Sequence, residues 1–239
     1  MKLEMLHGDS WAKTYLLIDE ESKQAILIDS VFGRHEYDLS VIQARGATLK
    51  HAIATHTHAD HVTACFDLRE KTGCEYVMWE DTVSLGISKF VDEDDVIMLG
   101  KTPLKFHFSP GHTNDSMIVE IPGHILTGDF LFNGEGGVGR DDLPSGRPKI
   151  HFEALSVLNR FDDEVMVQSG HDPPGTVMRT LGWNRENNPI LKMETYAEYI
   201  AWQERQWEIL GPVTQIKIAV PANIFAEAPE SDVTNKPSK

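Results

Sequence analysis

Thr55-His56-Thr57-His58-Ala59-Asp60-His61 places three imidazoles and a carboxylate within six residues, directly after the apolar run 52–55 and before a helical pattern over 62–71. Donors this dense at a strand end read as a metal-ligand loop. His56 and His58 alternate toward one ion, Asp60 and His61 turn toward a neighbouring position, and nitrogen plus carboxylate donors suit Zn(II), Fe(II) or Mn(II). A lone histidine here would be an ordinary solvent turn, but four donors in six residues leave little room for that reading.

Working outward, three more strand ends carry the same kind of residue. His112 follows Pro110-Gly111 after the run 104–108, Asp129 follows Gly128 after 125–127, and His171 lies in Gly170-His171-Asp172 after 164–168. Each alone is a turn residue. Together they point to one site, because loops at strand ends are where a rigid sheet converges side chains from distant positions.

The remaining chain supplies the sheets. Runs at 2–6, 14–18, 24–28, 52–55, 76–79, 96–99, 104–108, 117–121, 125–127 and 164–168 predict strands, and 36–45, 62–71, 152–161 and 191–210 predict helices. Strands with helices in both halves predict an α+β fold with two sheets back to back, each covered by helices, a four-layer αββα sandwich. One domain over 1–225 is expected, with a disordered tail over 226–239, rich in Pro, Glu, Ser and Lys. Within 191–210, Tyr196, Tyr199, Ile200, Trp207 and Leu210 form a stripe that reads as core-facing. A homodimer face is the other reading of that tryptophan-bearing helix.

Hydrophobic residues at 41% and charged residues at 25% exclude a fibrous or wholly disordered chain. The net charge of -15 repels a phosphate backbone and an anionic bilayer alike, so neither nucleic acid nor membrane is an expected partner. The apolar run at 25–28 is stopped by Asp29, far short of the roughly 18 residues of a span. The amino-terminal MKLEMLHGDSW holds no sustained apolar stretch of the kind a secretion signal needs, and a cytoplasmic location is expected. Cys65 and Cys74 read as reduced, partly buried small residues without a catalytic role.

HxHxDH at 56–61, Gly-His-Thr at 111–113, Gly-Asp at 128–129 and Gly-His at 170–171 together resemble the metallo-β-lactamase superfamily, over residues 15–222. Ser109-Pro110-Gly111-His112-Thr113, Thr127-Gly128-Asp129 with Gly139-Arg140 downstream, Asn188-Pro189 and above all Ala219-Val220-Pro221-Ala222-Asn223 resemble its persulfide dioxygenase family. That resemblance implies one Fe(II) per chain held by His56, His112 and Asp129, with a small-molecule thiol persulfide and O2 as substrates and sulfite as product. His58, Asp60, His61 and His171 would then support catalysis by orienting ligands and bound water, Asp60 holding that network. Arg140 matches the family's substrate-binding arginine and suits a carboxylate of glutathione, with a solvent-facing arginine as the equal reading. Pro173 and Ile190 depart from the family's Tyr and Arg. They remove hydrogen-bonding partners for the tripeptide and point to a different thiol carrier or weaker binding.

A hydrolase resembling glyoxalase II is the alternative. It would hold two Zn(II) per chain, Asp60, His61 and His171 binding the second ion, His58 completing the first site and Asp129 bridging, so that a metal-bound hydroxide attacks a thioester. The segment at 219–223 argues against it. An RNA-cutting member is opposed by the acidic charge, and a metal-dependent binding protein without turnover ranks last.

Overall fold

Tyr15 to Ile18 and Ala25 to Ile28 are apolar at every position, which suits strands covered on both faces. They form the middle of a meander, β1 (Lys2–Leu6), β2 (Thr14–Asp19) and β3 (Gln24–Ile28), paired antiparallel in that order. The chain then crosses over through α1 (His35–Ala44) to β4 (Thr48–Ile53), and through α2 (Cys65–Thr72) to β5 (Glu75–Trp79), before β6 (Lys89–Val91). These three strands add parallel to β3, giving a six-stranded sheet. A second, five-stranded sheet follows: β7 (Val96–Leu99), β8 (Thr102–Phe108), β9 (Met117–Ile121) and β10 (His124–Gly128) are antiparallel neighbours, and β11 (Met166–Ser169) adds parallel to β10. The computed structural model describes residues 1–229.

Strand periodicity of two sorts side chains into three apolar layers. Leu16, Ile18, Ala25 and Leu27 face one way and pack with Ile42, Phe66, Leu68 and Ala219, residues of α1, α2 and a late helix α6 (Ile216–Phe225). Tyr15, Leu17, Ile26 and Ile28 face the other way and meet Leu104, Phe106, Met117 and Val119 between the sheets. Ile118, Ile125 and Val167 leave the far face of the second sheet and pack under α4 (Leu181–Asn187) and α5 (Tyr196–Leu210) through Leu181, Tyr199 and Trp202. The order helices, sheet, sheet, helices is therefore the expected four-layer αββα sandwich. Each fully buried Leu or Ile contributes roughly 1.5–3 kcal/mol, and a one-residue slip would turn every such side chain to the wrong layer.

Several element boundaries differ from the sequence reading. The strand read at 52–55 runs instead over Thr48–Ile53, because its first half carries exposed Thr48 and Lys50 that hide the pattern. β6, three residues long, gave no readable period. The helix read at 152–161 is α3 (Pro148–Ala154), started by a proline in its first turn, followed by a 3-10 stretch over Leu155–Arg160. α4 was not read at all; the Thr180 side chain caps it by accepting from the Trp183 amide. The single helix read at 191–210 is a 3-10 turn (Ile190–Lys192) and then α5, begun by a reciprocal cap between Thr195 and Glu198.

The stripe on that helix is also corrected: Tyr199, Trp202 and Gln203 are its buried residues, while Tyr196 and Leu210 are exposed. Cys65 and Cys74 are free and buried, and burial pushes the Cys65 thiol up. Among the described residues no helix is long and apolar enough to cross a membrane. The expected tail at 226–239 lies, from residue 230 on, outside the described residues.

Candidate metal centre

The ends of β4, β8, β10 and β11 bring their loops together at one edge of the sandwich. His56, His112 and Asp129 are buried and place one donor atom each within 4.8 Å of one another. Asp129 Oδ2 is 4.0 Å from His56 Nε2 and 3.7 Å from His112 Nε2.

The tautomers follow from what holds the other ring nitrogens. Asp29, at the end of β3, accepts from the Thr55 amide through Oδ1 and from the Thr55 hydroxyl through Oδ2, both at 2.8 Å. That hydroxyl, having given its proton to Asp29, accepts from His56 Nδ1 at 3.0 Å. His112 Nδ1 likewise donates to the Arg140 carbonyl at 2.6 Å. Both Nε2 atoms are left with lone pairs, and His56 Nε2 is buried without any hydrogen-bond partner.

Burial, and at His56 also the neighbouring His58, pushes both imidazoles below their ordinary range, so they enter as neutral donors. Two lone pairs and one carboxylate oxygen facing a common point fit a divalent transition metal. Replacing Thr55 by valine removes the acceptor that orients His56, and metal affinity is expected to fall about ten- to a hundredfold. Titration with a competing chelator reads this, and unchanged affinity would remove Thr55 from the site.

The other four predicted residues sit alongside. His171 bridges two carboxylates, with Nδ1 at 2.7 Å from Asp129 Oδ1 and Nε2 at 2.9 Å from Asp60 Oδ2. Burial opposes a charge on this ring, but the two carboxylates outweigh it and hold its pKa well above the ordinary value. Asp60 Oδ2 also meets His61 Nδ1 at 3.0 Å. His58, Asp60 and His61 form a second group of donors within 4.8 Å, to which His171 does not belong. His58 Nε2 lies 3.3 Å from Asp29 Oδ1 without hydrogen-bond alignment, and His61 Nε2 is buried and unpartnered. A third group, His35, Glu36 and Asp67, is already filled by the Lys71 ammonium, 2.9 Å from Asp67.

Three residues that hold the ligand loop were not foreseen. Asp29 is one, and it adopts a left-handed backbone (φ 53°) that tucks it beneath Thr55. Asp115 accepts from the Thr57 amide and hydroxyl and from the hydroxyls of Thr82 and Thr113, tying the loop at 56–61 to the one that carries His112. Asn223 donates through Nδ2 to the carbonyls of His58 (2.8 Å) and His61 (3.0 Å) and accepts from the Thr63 amide (2.8 Å). The quoted segment at 219–223 thus has a physical task in α6, which the sequence reading did not assign. Two glycines permit the close approach: a Cβ on Gly128 (φ 51°) would lie 2.3 Å from Thr55 Oγ1, and one on Gly139 would lie 2.2 Å from the Asp129 carbonyl.

A cavity of about 450 Å³ opens in front of Asp129 and His112. Arg140 and Pro173 line it. Ile190 is instead 1% exposed in the apolar layer beneath α5. Arg140 does not face solvent freely. Its Nε and Nη2 grip both Asp142 carboxylate oxygens at 2.7 Å, and Nη1 donates to the Gly211 carbonyl at 2.8 Å.

Residues 11–171 match the family described as the metallo-beta-lactamase superfamily. The chain is 31% identical to the mitochondrial persulfide dioxygenase ETHE1 of Mus musculus, covering 92% of this chain and 86% of the relative. A hydroxyacylglutathione hydrolase of Erythrobacter litoralis matches at 27%, over 93% of this chain and 86% of the relative. The crystal structure of ETHE1 from Myxococcus xanthus superposes with a TM-score of 0.88 at 31% identity, over 95% of this chain and all of that one. The chain belongs to the metallo-β-lactamase superfamily and, within it, to the persulfide dioxygenase family.

Proposed function

We propose that the protein is a mononuclear Fe(II) dioxygenase that oxidises the terminal sulfane sulfur of a low-molecular-weight thiol persulfide to sulfite. One persulfide, one O2 and one water give one thiol and one sulfite; the terminal sulfur gives up four electrons, all of which reduce the O2. The observation that carries the reading is the grouping of His56, His112 and Asp129, all buried, with one donor atom from each within 4.8 Å, beside which both ring nitrogens of His171 are taken up by the carboxylates of Asp129 and Asp60. Bound there, Fe(II) would supply open coordination positions for a sulfur donor and for O2.

The chain's own residues account for the rest. His171 holds Asp129 through Oδ1, which leaves Oδ2 turned toward the two imidazole nitrogens. Its two N–H groups go one to Asp129 and one to Asp60, so the ring offsets their charge beside the site. Thr55 and the Arg140 carbonyl keep the Nδ1 protons of His56 and His112 in place, so neither ring turns away. Phe132, Val138 and Trp202 give the cavity apolar walls on the approach to the site.

The second reading, two Zn(II) and thioester hydrolysis, is favoured by the close grouping of His58, Asp60 and His61. Metal analysis of anaerobically purified protein decides between them. One iron per chain and oxygen uptake on adding a persulfide, lost with a chelator and restored by Fe(II), is the expected outcome. Two zinc ions per chain with thioester cleavage under argon would sink the dioxygenase reading.

A further inference from the structure

We propose that the cavity selects a persulfide whose carrier thiol is apolar and bears no carboxylate, and that Asp142 sets this preference by occupying Arg140. The inference rests on the persulfide reading above and names the carrier class for that same site.

Among the described residues that line the cavity, Arg140 is the single Lys or Arg, whereas Asp60, Asp129, Glu135 and Asp172 are carboxylates. Arg140 presents its two-pronged Nε, Nη2 edge to Asp142, the geometry with which a guanidinium would otherwise receive a substrate carboxylate. Its Nη1 is directed to Gly211. The side chain is only 15% exposed, so the pair is partly shielded from water, and opening it would leave Asp142 without this partner.

Of the neutral donors at the cavity wall, Gln203 Nε2 is committed, giving its hydrogens to the Gly139 carbonyl and the Tyr199 hydroxyl, both at 3.0 Å, and the others, Trp11, Gln206 and Thr214, carry no charge to receive a carboxylate. Glu135 stands exposed at the rim and makes no ion pair among the described residues. A tripeptide carrier would find no free cation for either of its two carboxylates, only its ammonium having a partner in Glu135, inside a chain of net charge -15. Trp11, Phe132, Trp202, Leu210 and Val213 offer instead an apolar chamber that an uncharged alkyl or aryl group can fill. The persulfide anion itself needs only the metal.

Two measurements test this. Oxygen uptake by iron-loaded protein is compared for 2-phenylethyl persulfide and glutathione persulfide, and binding of the two parent thiols is followed by quenching of tryptophan fluorescence. The apolar persulfide is expected to show a kcat/KM at least about tenfold higher, and its thiol to saturate at a concentration about tenfold lower. In Asp142→Ala, with Arg140 released, the kcat/KM ratio is expected to narrow about tenfold, the change residing in the KM for glutathione persulfide. Equal or better use of glutathione persulfide by the unaltered protein, or an unchanged ratio in Asp142→Ala, overturns the inference. If neither persulfide drives oxygen uptake, the dioxygenase reading falls, while the ratio of thiol affinities still decides the carrier class.

Discussion

Asp129→Ala is expected to fold but to retain almost no metal, with oxygen uptake on persulfide reduced at least about a thousandfold. Asp129 is the only anionic donor of its triad, and its Oδ2 is the atom both imidazole nitrogens approach. Losing a charged ligand forfeits several kcal/mol of metal binding, and each 1.4 kcal/mol is about tenfold in affinity. The substitution also leaves His171 with Asp60 as its remaining carboxylate, so the ring's pKa should fall back toward the ordinary histidine value. Elemental analysis and an oxygen electrode read the first effect; the second is visible in the titration of the His171 ring resonances. Full iron content with undiminished turnover in this variant would remove Asp129 from the ligand set.

The second large effect is expected behind the histidine loop, at Asn223→Ala. Its side chain satisfies two carbonyls and one amide of the segment that carries His58, Asp60 and His61, and it is 1% exposed. Three buried backbone groups would lose their partners at about 1 kcal/mol each, so a loss of about 3 kcal/mol in stability is expected. Metal affinity should drop with it, because the loop that presents His56 is no longer pinned from below. Chemical denaturation of the metal-free protein separates the two effects: an unchanged midpoint would mean that the three hydrogen bonds contribute nothing to the fold. Asn223→Asp, which keeps the acceptor toward Thr63 but sets a buried carboxylate oxygen against two carbonyl oxygens, should be destabilised at least as much.

The layers and the converging donors were legible in the sequence for different reasons. The strands declared themselves through unbroken apolar runs such as those in β2 and β3, and the donors through residue types rarely found together by chance at strand ends. What supports the donors was not legible. Asp29 and Thr55 are 26 positions apart, Thr57 and Asp115 are 58 apart, and Asn223 acts on residues 160 to 165 positions away. Such pairs leave no local period or motif. The start of α5 could have been read: Thr195 and Glu198 stand three apart, the spacing of a reciprocal cap, and they forbid a helix running unbroken from residue 191. Arg140 shows a subtler failure, since its partner Asp142 is two residues on, yet only the folded geometry reveals that the pair closes on itself.

The clasp between α6 and the histidine loop has a consequence for biosynthesis. A nascent chain emerging from the ribosome has displayed all its metal donors once residue 171 is out, but the clamp on the first of them arrives some fifty residues later. Domains settle as units during translation, and contacts so distant along the chain close late. A truncation before residue 223 is therefore expected to yield a chain able to meet a metal ion but poorly able to keep it.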